Sequence, residues 1–180
     1  MHAVPSDLTE LPAFAAGSRL VHVVIDTPRH SRCKYKYEPA LGAFVVKKLL
    51  PVGAVFPHAF GFVPSTRGGD GDPLDVLVVC EEPLIVGCVA TVRIAAVMLA
   101  EQREHAARAP RRNDRFVASL ATAHDPPALH RLADLSHHER AEIERFFVSY
   151  NEAEGKRFEV LGWAGARRAH ALLRAGRVRV

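Results

Sequence analysis

Three observations predict an α+β fold. The first two-thirds of the chain carries short apolar runs of strand length with partial alternation, whereas the helix signals come late. With 180 residues and 48% apolar content, the chain is large enough for a well-buried core, and residues 1–180 read as a single domain. Strands that precede helices, rather than alternating with them, put the helices against one side of a sheet.

Taken in order, residues 20–26 alternate as a strand that Pro28 ends. Residues 34–37 and 43–50 read as a hairpin through the turn holding Pro39 and Gly42. Residues 74–80 and 88–97 are the two strands with the most buried character. Residues 101–113, charged and containing Ala109-Pro110, read as a loop. Ser136 with Glu139 three positions on forms a capping box, and Ile143, Phe146, Phe147 and Tyr150 fall on one face of the helix it starts. A second helix is expected over residues 163–175, stopped by Gly176.

Composition narrows the functional classes. The longest apolar stretch, residues 84–100, holds Gly87 and a central Arg93, a charge too costly in lipid, so it reads as buried strand and no membrane span is expected. Residues 1–14 lack the basic-then-apolar layout of a secretory signal, with Asp7 and Glu10 interrupting them. Cys33, Cys80 and Cys88 have no metal-ligand spacing and leave an odd thiol, which fits reduced cysteines in a cytoplasm. Residues 103–115 hold five arginines against two acids and residues 167–180 five arginines and no acid, so the net charge of +4 is local to these two stretches.

The most informative segment is Asp70-Gly71-Asp72-Pro73-Leu74-Asp75, which runs straight into the apolar strand Val76-Leu77-Val78-Val79. Three carboxylates this close raise one another's pKa and call for a compensating cation. Gly71 lets the chain turn and Pro73 stiffens it. Oxygen-only ligands suit magnesium or manganese better than zinc. A calcium loop fits poorly, because its fifth and sixth places hold Leu74 and Asp75. Read without its neighbours, the segment is a solvated acidic turn.

Its neighbours move the reading to a family. The pieces Val23-Val24-Ile25-Asp26-Thr27-Pro28, Lys34-Tyr35, Phe56-Pro57, Phe60-Gly61-Phe62-Val63-Pro64 and the aspartate turn stand in an order that resembles the soluble family I inorganic pyrophosphatases. The likeness runs from about residue 21 to 99 and resumes at Arg115-Phe116-Val117-Ala118 and Phe146-Phe147-Val148-Ser149-Tyr150. It implies a small closed, OB-like β-barrel flanked by the two C-terminal helices, a homo-oligomer and a cytoplasmic enzyme. It also implies Mg2+, with Mn2+ as the other suitable ion. Asp70 and Asp75 correspond to metal ligands. Asp72 corresponds to a further metal ligand and to the residue that orients or deprotonates the attacking water. Lys34, Lys48, Arg115 and Tyr150 correspond to residues that bind substrate phosphate.

Several positions depart from that pattern. Asp26 and Lys36 stand where glutamates are usual, Lys48 where an arginine is, and Phe56 and Phe60 where tyrosines would donate to water or phosphate. Asn151 replaces a second lysine and Arg115 a lysine. Two further aspartates of the metal sites fall near Glu101 or Gln102 and at Asn113, with Asp114 as a stand-in if the loop shifts. Guanidinium groups of the loop 103–115 in place of metal ions would keep the charge balance. A solvated basic surface is the plainer account.

Three functions compete. The first is an inorganic diphosphatase of reduced or altered activity, hydrolysing pyrophosphate to two phosphates with metal-activated water. The second is a catalytically weakened diphosphate- or phosphate-binding relative. The third is association with nucleic acid or another acidic partner through Arg167, Arg168, Arg174, Arg177 and Arg179, which ranks last because no aromatic interleaving or reader motif accompanies them.

Overall fold

The computed structural model describes residues 7–104, 109–121 and 129–178. Nine strands are named in chain order: β1 (Val21–Thr27), β2 (Cys33–Glu38), β3 (Ala43–Leu49), β4 (Ala59–Val63), β5 (Leu74–Val79), β6 (Val89–Arg103), β7 (Arg111–Arg112), β8 (Arg115–Leu120) and β9 (Arg157–Gly165). The helices are α1 (His137–Glu152) and α2 (Ala166–Ala175).

Five strands close a ring. β1 pairs with β4, β4 with β5, β5 with β8, β8 with β6, and β6 returns to the free edge of β1. Only β5 and β8 run parallel. Closure leaves no unpaired edge within the ring, as in a small barrel. Gly61 is required for it: a Cβ there would come within 2.2 Å of the Val24 carbonyl oxygen on the adjacent strand. The hairpin of β2 and β3 forms a separate two-stranded sheet, turned at Gly42 in the left-handed region (φ 60°).

Side chains alternate between two apolar layers, as the pleat demands. Val76, Val78, Phe116 and Ala118 enter one layer, which α2 covers with Ala169 and Leu173. Leu77 and Val117 enter the other, which α1 covers with Ile143 and Phe147. Each Val, Leu, Ile or Phe among them, buried in full, contributes roughly 1.5–3 kcal/mol. The capping box of α1 forms as expected: Glu139 N–H donates to the Ser136 hydroxyl at 3.1 Å, and Ser136 N–H to Glu139 at 2.8 Å. Among the described residues no helix is long and apolar enough to cross a membrane.

Two expectations are corrected. The second helix starts at Ala166, not at residue 163, and Trp163 lies in β9. Gly162, at φ 137°, and Gly165 disfavour helix there, and the backbone finds partners along β6, from Ala96↔Gly165 to Arg103↔Arg157. The stretch 101–113 is less of a loop than its charge implies. β6 continues through Arg103, and β7 pairs back on Glu101 and Gln102. Charged side chains are compatible with a strand whose outer face meets solvent. Arg108 and Arg179 lie outside the described residues.

Candidate active site

The aspartate turn is built to be rigid. Gly71 adopts φ 95°, Gly68 N–H donates to the Asp72 carbonyl at 2.7 Å, and Asp72 N–H donates to Asp70 Oδ1 at 3.2 Å. Beyond Pro73, Leu74 N–H donates to the Thr66 hydroxyl at 3.0 Å, and that hydroxyl donates to the Val63 carbonyl at 2.6 Å. β5 then carries Asp75 between Phe62 of β4 and Arg115 of β8, its neighbours in register.

These strand ends line a cavity of about 370 Å3. Asp26, Lys34, Arg115 and Tyr150 line it together with all three aspartates of the turn. Each carboxylate has its own surroundings. Asp26 is buried, and Lys34 Nζ donates to both its oxygens, at 2.7 and 2.8 Å, while the Thr27 hydroxyl adds a third bond at 2.7 Å. Burial holds the Asp26 carboxyl above the usual carboxylate range in spite of Lys34. Asp75 meets Arg115 Nη1 at 2.7 Å, and Asp72, more than half exposed, meets Lys36 Nζ at 3.1 Å. Asp70 has no ion pair among the described residues, and burial with the nearby Asp75 charge pushes its carboxyl up.

The aromatic substitutions form an apolar wall. Phe56 and Phe60 are 1% and 4% exposed and both line the cavity, so they offer it ring surface and no hydroxyl. Instead the ring faces support cations: Lys34 Nζ lies 4.2 Å from the Phe60 centroid, and the Arg115 guanidinium 5.0 Å from that of Phe147. Burial, with the Glu154 and Asp75 charges, pushes the Tyr150 phenol well above its ordinary value and keeps it a donor.

The facing wall differs from the aspartate turn. Asn113 Nδ2 donates to Gln102 Oε1 at 2.7 Å, and Asn113 Oδ1 accepts from Arg115. Arg115 Nη1 also reaches the carbonyls of Asp114, at 3.1 Å, and Asn113, at 3.4 Å, while its Nε is buried without an acceptor among the described residues.

The structure therefore places Gln102, rather than Glu101, on the cavity, with Asn113 beside it. Asp114 does not step in: its Oδ1 is engaged by Ala100 N–H at 3.0 Å and by Arg112 Nε at 2.9 Å. Lys48 lies in a neighbouring hollow, 3.4 Å above the Tyr150 centroid and paired with Glu154. Asn151 is buried and donates to the Phe147 carbonyl of its own helix at 2.7 Å. The residue that sequence reading missed is Lys156, which lines the cavity and pairs with Glu154 at 3.4 Å. Its one local signal is a base placed directly after Gly155, where the chain leaves α1.

The arrangement has relatives. A family model described as inorganic pyrophosphatase matches residues 23–180. The chain belongs to the inorganic pyrophosphatase family. It is 33% identical to the inorganic pyrophosphatase of Thermus thermophilus, over 94% of this chain and 95% of that one. It is 35% identical to the soluble inorganic pyrophosphatase 2 of Chlamydomonas reinhardtii, over 86% and 77%. The crystal structure of the Thermus thermophilus enzyme superposes with a TM-score of 0.85, covering 94% of this chain and 96% of the other. The family's barrel is the ring described above.

Inorganic pyrophosphatases are metal-dependent, and the residues present fit such an ion in part. Among the described residues, no three His, Cys, Asp or Glu side chains gather closely enough to hold a metal alone. The Asp70 carboxylate, without an ion pair among the described residues and beside Asp72 and Asp75, fits a hard cation that keeps several waters and takes one or two carboxylates, which is magnesium's habit.

Proposed function

We propose that this chain hydrolyses inorganic pyrophosphate to two phosphates with Mg2+. The observation that carries the reading is the intact aspartate turn on a cavity it shares with Lys34, Arg115, Lys156 and Tyr150. In the reaction a water oxygen bonds to one phosphorus as the bridging P–O bond breaks. Asp70, with help from Asp72 and Asp75, would hold the magnesium ion, which when bound would supply a water of lowered pKa and offset charge on the phosphate oxygens.

The protein's own groups do the rest. Asp72 orients the attacking water and takes its proton on a carboxylate oxygen. Lys34 has donor capacity beyond its two bonds to Asp26 and presents it to a phosphate oxygen, as does Lys156, which pairs with Glu154. Arg115 steadies the leaving phosphate with a permanent charge. Tyr150, protonated throughout, donates its phenolic hydrogen. Lys48 acts through the Tyr150 ring it covers and the Glu154 carboxylate it holds. A cytoplasmic homo-oligomer is the state that accompanies this reading, and cell fractionation with light scattering checks it.

One observation favours a second reading, a diphosphate-binding protein with weakened turnover. Lys36 occupies both oxygens of Asp72, at 3.1 and 3.3 Å, and competes with a water for them. Phosphate release from pyrophosphate with magnesium, compared between the natural chain and Asp72→Asn, separates the two. Turnover that the substitution abolishes supports the enzyme. Silence from both proteins, with magnesium-dependent pyrophosphate binding by the natural chain, supports the binder.

A further inference from the structure

Six carboxylates and four cations line the cavity, a net charge of −2, which one divalent ion neutralises. Within the aspartate turn the division is sharp. Asp72 is paired with Lys36 and Asp75 with Arg115, and only Asp70 is without an ion pair among the described residues. A further cation would need ligands beyond the turn. Next to Arg115 the cavity offers Gln102 and Asn113, whose amide oxygens carry no charge and are both engaged, one by the other amide and one by Arg115.

The guanidinium is thus in a cation's position. Its Nη1 sits 2.7 Å from Asp75, and the group is 6% exposed and cannot lose its proton. An approaching divalent ion would be repelled by it at close range. We infer that this cavity takes a single divalent cation, seated on Asp70, and that Arg115 stands at Asp75 in place of a second one. The inference rests on the reading of the site as a metal-dependent pyrophosphatase.

Mn2+ binding in the absence of pyrophosphate, counted by electron paramagnetic resonance and by titration calorimetry, tests it. One saturable Mn2+ per chain is expected, lost in Asp70→Asn, with a second site appearing in Arg115→Met. Two or more ions on the natural chain, or none, overturn the inference. So does a folded Arg115→Met that still takes only one. Should that variant fail to fold, Asn113→Asp replaces it. A carboxylate there draws the guanidinium off Asp75, and a second Mn2+ is again the expected result, an unchanged count the opposing one. Because pyrophosphate is left out, the count is separate from turnover. Two ions with turnover would overturn this inference and keep the pyrophosphatase; one ion without turnover would do the reverse.

Discussion

Two carboxylate–cation pairs on the walls of one cavity are built to different ends. Asp26 and Lys34 are closed on each other: both carboxylate oxygens receive the ammonium, the pair is 7% and 13% exposed, and an aromatic face caps it. Asp75 and Arg115 are open. The aspartate is 24% exposed, and Nη1 of the guanidinium is shared among one carboxylate and three neutral oxygens, while Nε has no acceptor among the described residues. The first arrangement commits two of the three ammonium hydrogens to holding β1 against the hairpin and leaves one for a phosphate oxygen. The second keeps a fixed charge available to a ligand. Burial alone does not distinguish them, since Arg115 is the less exposed of the two cations; the difference is how many lone pairs each carboxylate has left.

The comparison is testable by removing each cation and measuring urea unfolding. The largest loss is expected from Lys34→Met, about 3 kcal/mol near neutral pH, because it strands a buried carboxylate. Burial already holds the Asp26 carboxyl above its ordinary value, and without Lys34 it rises further. Charged Asp26 then costs stability, so the deficit is full above its folded pKa and shrinks as pH falls and the carboxyl takes a proton. A deficit that grows on acidification would break the comparison. Arg115→Met is expected to cost less, about 1–2 kcal/mol, since Asp75 can draw on solvent, and added Mn2+ should recover part of it. Equal losses from the two variants would mean that the pairs do the same work. Lys36→Met, which breaks an exposed pair, should change stability by less than about 0.5 kcal/mol while altering Mn2+-dependent phosphate release.

Much of this was legible in the sequence, and for identifiable reasons. The strand at residues 74–79 and the helix behind Ser136 announce themselves through alternation and a cap, which are local signals. The aspartate turn is likewise local, with its glycine and proline performing as their backbone preferences dictate. β9 was not legible, because a strand with glycines at 162 and 165 and a tryptophan at 163 takes its conformation from the β6 edge rather than from its own residues. The changed residues of the site were visible one at a time. Their mutual bonds, Gln102 with Asn113 and Arg115 with Asp75, join positions brought together by register, which no spacing along the chain reports.

The 15-residue strand β6 has a consequence for how the molecule comes into being. Val21 lies opposite Val92, and Ala96 opposite Gly165, so one strand is the meeting point for segments roughly seventy residues away on either side. A chain emerging N-terminus first must hold β1 half-paired until β6 leaves the ribosome, and β6 must then wait for β9. Contacts this distant close slowly, because loop entropy is spent before they form. The Gln102 wall shares the second wait, since Gln102 pairs with Phe158 of β9, and the cavity is therefore among the last parts of the molecule to be born.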